Sequence, residues 1–221
     1  ELMRLLVSLQ SWSDAEASAR KVLSLRPGDP VALYYLAWSL RGQDRYAEAI
    51  DALQLAIRAE PSRAEFVQAL GRTQCLADDF GAGIATLEKA AAMQPGNAEA
   101  ARAVASAKAM LDDKLAPYRR LVAEQPASFD RRAALAFLLQ KHGLPQQALA
   151  EYDTALAGLG ATALAEGSEL RRLAAQVQYN RGVVYRRLGR SGQAEPALVE
   201  AMRLDPGLSA QAWFTIGLAR T

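Results

Sequence analysis

The stretch YNRGVVYRRLGRSGQAEPALVEAMRLDP, which runs from Tyr179 to Pro206, decides the fold. Its apolar residues recur every three to four positions in two blocks, which is the pattern of two amphipathic helices. Residues with little or no side chain stand within and between these blocks, and the second block closes on a proline. These positions are Gly182, Gly189, Ala194, Ala201 and Pro206. Such a regular series raises the question of whether the spacing recurs elsewhere in the chain.

The closing position recurs along the whole chain. Similar helical stretches close at six places, which are Pro27, Pro61, Pro95, Pro126, Gly160 and Pro206. The first two intervals are 34 residues long, the third is 31, the fourth is 34 again, and the last is 46, which is 34 plus an insert of 12. Internal periods of about 20 to 50 residues are typical of solenoids, so the chain is predicted to consist of repeated helical units.

These units resemble the tetratricopeptide repeat, a family whose unit is a helix–turn–helix of about 34 residues. The family places small residues at three fixed slots, glycine between the two helices, and proline at the close. The last closed unit carries this pattern in Gly182, Tyr185, Gly189, Ala194, Leu198, Ala201 and Pro206. The resemblance implies an all-α fold, a right-handed superhelical solenoid of antiparallel helix pairs. It predicts one solenoid over residues 1–221, with about five full repeats and partial terminal ones.

The small residues have a physical reason in this arrangement. Helices that cross at about 8–10 Å leave little room for side chains larger than methyl at the crossing point. Glycine between the helices is predicted to take a left-handed conformation that ends the first helix. Helix starts are predicted at Asp29-Pro30, and at the capping-box motifs Ser13-x-x-Glu16 and Ser62-x-x-Glu65.

Two irregularities interrupt the period. The shortened unit over 96–126 is degenerate, and its missing turn near KAMLDDKLAP predicts a change of pitch. The insert at about 159–170 is rich in alanine and glycine, and a helix is predicted from about Ser168, extended by about two turns. Two interpretations of the insert stay open: a surface insertion, or a contact element that folds over the concave face.

The composition excludes several classes of protein. No apolar run approaches the ~18 residues of a membrane span. The net charge of +2 is too balanced to indicate nucleic acid binding. A single cysteine, Cys75, and a single histidine, His142, argue against disulfides and metal sites. The acidic pairs Asp78-Asp79 and Asp112-Asp113 are interpreted as turn or cap residues. No catalytic motif is found, so the chain is predicted not to be an enzyme and to need no cofactor or metal.

The resemblance also implies a concave wall formed by the first helix of each unit. Its predicted groove residues are Arg4, Tyr34, Trp38, Arg41, Gln68, Arg72, Arg102, Phe137, Lys141, Tyr179, Asn180 and Arg186. Arginine suits carboxylates, and tyrosine and tryptophan are enriched at binding hot spots, so a peptide partner with acidic groups is predicted. Alternatively, the arginines pair with Glu65 or Glu99, and the aromatic residues pack against the neighbouring unit. The clamp by which some family members hold a C-terminal carboxylate is not recognisable.

The leading hypothesis is a non-catalytic scaffold that binds a protein or peptide segment in its concave groove. The first alternative is a self-assembling module that associates through a C-terminal half-repeat bearing Trp213, Phe214 and Ile216. The second is the substrate-recruiting arm of a larger enzyme. The chain is expected to be an excerpt of a longer protein, and its alanine- and arginine-rich composition suggests a bacterial origin, either cytoplasmic or periplasmic.

Overall fold

The computed structural model describes residues 1–160, 164, 165 and 167–217, and within these residues all regular structure is helical. The predicted all-α fold of helix pairs is confirmed. The chain divides into two compact units, Glu1–Asp112 and Asp113–Thr221. In the described part, no helix combines the length and the apolar character that a membrane crossing requires. The single solenoid over 1–221 stays a prediction.

The first unit is a series of helix hairpins. Its helices are α1 (Leu2–Ser8), α2 (Trp12–Leu25), α3 (Pro30–Arg41), α4 (Tyr46–Ala59), α5 (Ala64–Leu76), α6 (Phe80–Met93) and the first part of α7 (Ala98–Glu124). Successive helices pack on one another through buried alanine and leucine side chains, among them Leu36, Ala37, Ala49 and Leu53. The hairpins end at the positions where the prolines 27, 61 and 95 predict the close of a unit.

The second unit continues with longer and shorter helices. It contains the rest of α7, then α8 (Phe129–Lys141), α9 (Pro145–Ala157), α10 (Glu169–Arg187), α11 (Ser191–Leu204), a 3₁₀ turn (Pro206–Leu208) and α12 (Ser209–Gly217). The predicted helix start after the insert is confirmed, because the Ser168 hydroxyl accepts a hydrogen bond from the Arg171 backbone N–H at 3.1 Å. The resulting helix has 19 residues. Residues 161–163 and 166 of the insert lie outside the described residues.

A left-handed residue separates the two helices of five hairpins. Gln10, Asp44, Asp78, Gly143 and Gly189 have φ angles of 56°, 58°, 66°, 75° and 71°. The first three are spaced 34 residues apart, so the backbone keeps the period even where the sequence has no glycine. The glycine cap predicted from the sequence is confirmed at the last two positions. At the first three, a side chain is held in a conformation that glycine adopts more easily.

The predicted close approach of helices at small residues is confirmed by the geometry of two glycines. A Cβ atom on Gly71 would lie 2.9 Å from the Gly83 carbonyl oxygen, and one on Gly83 would lie 2.9 Å from the Gly71 carbonyl oxygen. Helices α5 and α6 therefore cross backbone to backbone. In the second unit, a Cβ atom on Gly182 would lie 2.6 Å from Leu198 Cγ. Larger side chains at these positions would push the helices apart.

The shortened unit over 96–126 differs from the prediction. Instead of a helix pair with a missing turn, residues Ala98–Glu124 form one helix of 27 residues. No glycine occurs between residues 97 and 142, and Pro117 removes one N–H donor without ending the helix. The interpretation of Asp112-Asp113 as turn or cap residues is therefore wrong. That of Asp78-Asp79 is confirmed, because Asp79 Oδ1 accepts a hydrogen bond from the Ala82 N–H at 3.1 Å.

The predicted helix starts are partly right. Asp29 caps α3 as predicted, with its Oδ1 accepting a hydrogen bond from the Ala32 N–H at 2.9 Å ahead of Pro30. The capping-box predictions at Ser13 and Ser62 are wrong, because α2 begins at Trp12 and α5 at Ala64. Glu16 is used elsewhere, accepting from Arg45 Nη1 at 2.8 Å. A long-range ion pair displaces the local cap here.

The Asp29 cap has a measurable effect on stability. Asp29→Ala removes the acceptor for a helix-terminal N–H, and we expect it to lower the free energy of unfolding by about 1 kcal/mol. Urea unfolding followed by tryptophan fluorescence measures the change. Asp51→Ala, at an exposed position within α4, is the control and should stay within about 0.5 kcal/mol. Equal effects of the two substitutions would contradict the capping role.

Candidate partner-binding surface

An aromatic cluster formed by Tyr34, Tyr35, Trp38 and Phe66 lies on α3 and the start of α5. The Tyr34 ring centroid is 5.5 Å from that of Tyr35, 6.0 Å from that of Trp38 and 5.1 Å from that of Phe66. Tyr34 and Trp38 are four residues apart and therefore share one face of α3. Phe66 is buried in the core, whereas Tyr34 and Trp38 are only half-buried. The cluster thus joins the core to the surface.

Arg41 extends this cluster with a positive charge. Its guanidinium carbon lies 3.9 Å from the Trp38 ring centroid, in a cation–π contact. Burial lowers the pKa of Arg41 below its ordinary value, and the positive charge of Arg72 lowers it as well. In the part of the chain that the structure describes, no carboxylate forms an ion pair with Arg41. A half-buried cation without an acidic partner is uncommon in folded proteins.

Two polar nitrogen atoms near this surface also stand out. The Trp38 Nε1 and Gln68 Nε2 atoms are buried, and neither donates a hydrogen bond to another described residue. Buried donors are nearly always paired, so each such atom needs an explanation. Gln68 lies one helical turn before Arg72 on α5. Unsatisfied donors on α3 and α5 therefore accompany the unpaired Arg41 charge.

A cavity of about 480 Å³ opens beside Arg41 within the first unit. Arg41, Arg72, Glu99 and Arg102 form its charged rim. Arg72 Nη2 lies 3.1 Å from Glu99 Oε1, and both side chains are exposed to solvent. Arg102 Nε donates to the Ala98 carbonyl oxygen at 3.2 Å. The rim has more positive than negative side chains, and Arg41 is the one among them that forms neither an ion pair nor a backbone hydrogen bond in the described structure.

The floor of the cavity is apolar. Leu76, Leu87, Ala107 and Met110 line it, and Cys75 lies beside them. Burial raises the pKa of the Cys75 thiol to about 11, so the thiol is neutral near pH 7 and a poor nucleophile. The sequence analysis missed Ala107 and Met110. A signal existed in the alanines 100, 103 and 107, because their spacing of three and four residues marks one face of a helix.

The structure brings together half of the predicted groove residues. Tyr34, Trp38 and Arg41 are in mutual contact, and Arg41, Arg72 and Arg102 line one cavity. The alternative pairing of Arg72 with Glu99 is also present, at 3.1 Å. The same residues thus satisfy both interpretations, because the Arg72 pair is exposed and a partner can replace it.

The remaining predicted residues lie elsewhere. At the start of the chain, Arg4 pairs with Glu1 at 2.8 Å. Phe137 and Lys141 are exposed on α8 of the second unit, where Phe137 has 55% of its surface accessible. These three residues share no contact with the aromatic cluster among the contacts described.

The predicted residues of α10 make contacts inside the second unit. The Tyr179 hydroxyl lies 3.4 Å from Thr215 Oγ1, and Arg186 Nη1 donates to the Thr215 carbonyl oxygen at 3.1 Å. Asn180 accepts a hydrogen bond from Gln176 Nε2 at 3.2 Å. Tyr179 and Arg186 therefore join α10 to α12.

Comparison with known families matches two parts of the chain. Residues 1–64 and residues 175–208 each match a family model described as tetratricopeptide repeat. Together with the left-handed residues 34 positions apart, these matches decide the assignment. The chain is a tetratricopeptide repeat protein.

One curated protein resembles part of this tetratricopeptide repeat protein. A stretch of 55 residues is 38% identical to sperm-associated antigen 1 of Rattus norvegicus. The stretch covers 25% of this chain and 6% of that protein. The chain therefore spans a small fraction of the length of the curated relative it matches.

Several solved structures resemble the chain at low identity. YrrB, described as a tetratricopeptide repeat protein with an unusual peptide-binding site, is 16% identical, with 85% of this chain and 92% of YrrB covered and a TM-score of 0.38. The TPR2AB domain of yeast Sti1 in complex with pHSP90 is 12% identical, with 99% and 96% covered and a TM-score of 0.46. The assignment does not depend on these likenesses.

The repeat numbering explains the composition of the surface. Trp38 and Arg72 are 34 residues apart, as are Tyr34 and Gln68, so each pair occupies one slot of successive repeats. Arg41 and Cys75 form a third such pair. Equivalent slots of neighbouring repeats lie side by side in a solenoid. The surface is therefore a strip of matched positions along the first helices of two adjacent repeats.

Proposed function

We propose that this tetratricopeptide repeat protein is a non-catalytic interaction module that binds a peptide or protein segment on the first unit. The binding surface comprises the aromatic cluster, Arg41 and the charged rim of the cavity. The observation that carries the proposal is the Arg41 guanidinium, stacked on Trp38 at 3.9 Å and without an acidic partner among the described residues.

The energetics favour an external partner at this position. A guanidinium that has already lost part of its hydration gains more from a carboxylate than a fully solvated one does. Charge-assisted hydrogen bonds to arginine are roughly twice as strong as neutral ones. Tryptophan, tyrosine and arginine are also the residues most enriched at binding hot spots. Trp38, Tyr34 and Arg41 combine these properties within one helical face.

The chemistry of the surface supports binding without catalysis. Within the described residues, no group of three or more histidine, cysteine, aspartate or glutamate side chains could hold a metal ion. The thiol that lines the cavity, Cys75, is held in its neutral form by burial. The groups that reach the surface are donors and aromatic rings, which suit recognition.

Peptide selection tests the proposal without assuming a particular ligand. A phage library of random dodecapeptides is panned against the wild-type chain, Arg41→Glu, Arg72→Glu and Arg58→Glu. We expect the wild type to enrich binding clones and the first two variants to lose at least ~10-fold of that enrichment. Arg58 is exposed on α4 outside this surface, and its variant is the matched charge-reversal control.

The outcome separates a binding surface from a solvated one. Circular dichroism first establishes that each variant keeps its helical content. Equal enrichment by Arg41→Glu, Arg72→Glu and the wild type would overturn the placement of the site. An absence of enriched clones for the wild type would overturn the peptide-binding function. Phe137 and Lys141 stay predictions of a second contact region, which the same library tests with Lys141→Glu.

A second candidate function is self-association, favoured by two exposed aromatic residues. Trp213 and Phe214 on α12 have 58% and 70% of their surfaces accessible, whereas Ile216 is buried at 4%. We propose that association through this pair would make Trp213→Ser plus Phe214→Ser strictly monomeric. Light scattering over a concentration series measures the oligomeric state. A monomeric wild type at all concentrations would remove this candidate.

A further inference from the structure

We infer that the cavity of the first unit binds one large apolar side chain of a peptide ligand and selects a carboxylate next to it. The inference rests on the proposed peptide-binding function and deepens it by naming the ligand chemistry. Two features of the cavity carry it, the apolar floor and the arginine rim.

The floor has the size and chemistry for an apolar anchor. A cavity of about 480 Å³ falls within the ~300–1,000 Å³ of typical ligand pockets. Leu76, Leu87 and Met110 contribute aliphatic and thioether surface, and Met110 is 44% exposed. Methionine adapts its shape to irregular partners. An apolar side chain that enters here loses contact with water and gains dispersion contacts on several sides.

The cavity exists because α7 is one uninterrupted helix with small residues on one face. Ala103 and Ala107 of α7 face the same space as Leu76 at the end of α5. Methyl side chains leave volume that larger residues would fill. The departure from the helix-pair pattern in this unit therefore coincides with the opening of the cavity. Cys75, in the slot equivalent to Arg41, adds a small neutral group to the floor.

The rim determines which neighbours the apolar side chain can have. Arg41, Arg72 and Arg102 surround the opening, and Glu99 alone opposes them on the rim. Arg41 is available for a ligand carboxylate because no described residue supplies one. A lysine or arginine next to the anchor would meet like charges and lose affinity. The surface thus distinguishes acidic from basic peptides that share the same apolar residue.

Glu99 acts as an internal competitor for the ligand carboxylate. Its Oε1 atom lies 3.1 Å from Arg72 Nη2, at a pair in which both side chains are solvent-exposed. Exposed ion pairs contribute little to stability, so a ligand can displace this one at small cost. Glu99→Gln removes the competing charge while it keeps the size of the side chain. We expect it to increase affinity for an acidic peptide about threefold.

Defined peptides test the inference by fluorescence anisotropy. The probes are fluorescein-labelled Gly-Ser-Glu-Leu-Ser-Gly and three relatives in which Gln or Lys replaces Glu, or Ala replaces Leu. We expect the parent peptide to bind the wild-type chain at least ~10-fold more tightly than each relative. Arg41→Gln should reduce binding of the parent peptide about 10-fold and leave binding of the Gln peptide unchanged.

A cavity-filling variant tests the anchor from an exposed position. Ser106 lines the cavity and is exposed, so Ser106→Trp should fill the space without disturbing the core. We expect it to remove the preference for Leu over Ala, whereas Ala105→Trp, at the exposed neighbouring position, should keep that preference. Circular dichroism establishes that both variants fold.

The failures of the two proposals are distinguishable. If the four peptides bind the wild-type chain equally, or if Ser106→Trp leaves the Leu preference intact, the inference about the cavity is overturned. Enrichment of phage clones that depends on Arg41 would in that case still support the peptide-binding function. If the wild-type chain enriches no clones, the underlying function fails and the inference fails with it.

Discussion

Gly83→Leu is expected to destabilise the first unit by about 3 kcal/mol, the upper end of the usual cost of overpacking. A Cβ atom at this position would lie 2.9 Å from the Cys75 backbone nitrogen and 2.9 Å from the Gly71 carbonyl oxygen, and would also meet Cys75 Sγ. Two of these three atoms belong to the backbone of α5 and cannot rotate away. The two helices must separate, and the contacts around Leu87 are lost with them.

Urea unfolding in a Trp213→Phe background measures this effect. In that background Trp12 and Trp38 are the remaining tryptophans, and both lie in the first unit. Ala85→Leu, at an exposed position on the same helix, is the matched control and should change the unfolding free energy by less than about 0.5 kcal/mol. A Gly83→Leu variant as stable as the wild type would show that α5 and α6 do not cross at this glycine.

Phe66→Ala is expected to cost about 3–5 kcal/mol, because it empties the space of a fully buried aromatic ring. Phe66 is 1% exposed and packs with Leu33 and Ala56 in the core. Its ring also supports Tyr34, at a centroid distance of 5.1 Å. The substitution should therefore weaken binding at the aromatic cluster in addition to lowering stability.

The matched control is Phe137→Ala, which removes an equally large ring from a position that is 55% exposed. Its unfolding free energy should remain within about 0.5 kcal/mol of the wild type. Because Phe137 belongs to the second unit, its unfolding is followed by circular dichroism, and Phe66→Ala is measured the same way. Similar losses for both variants would contradict the assignment of Phe66 to the core.

The sequence predicted much of the fold because the repeat is encoded locally. The 34-residue spacing of prolines places the hairpin ends, and apolar periodicity places the helices between them. The left-handed caps at Gly143 and Gly189 follow from glycine itself. The same conformation at Gln10 is not visible in its residue type, since tertiary packing of the hairpin imposes it.

The candidate site was predictable only in part. Repeat slots placed Trp38, Arg41 and Arg72 on one wall, but slots do not reveal partners. That Tyr179 and Arg186 engage Thr215 depends on α12 lying against α10, which residue spacing along α10 cannot show. The groove assignment as a whole stays a prediction that the binding experiments test.

By itself the sequence determined the helical periodicity, the repeat length and the positions where helices approach closely, because each depends on residue size and spacing along the chain. Only the tertiary structure decided that residues 98–124 form one helix, that a cavity opens beside it, and that Arg41 lacks an acidic partner in the described part of the chain. These features depend on distances between residues far apart in sequence, where packing outweighs local preference.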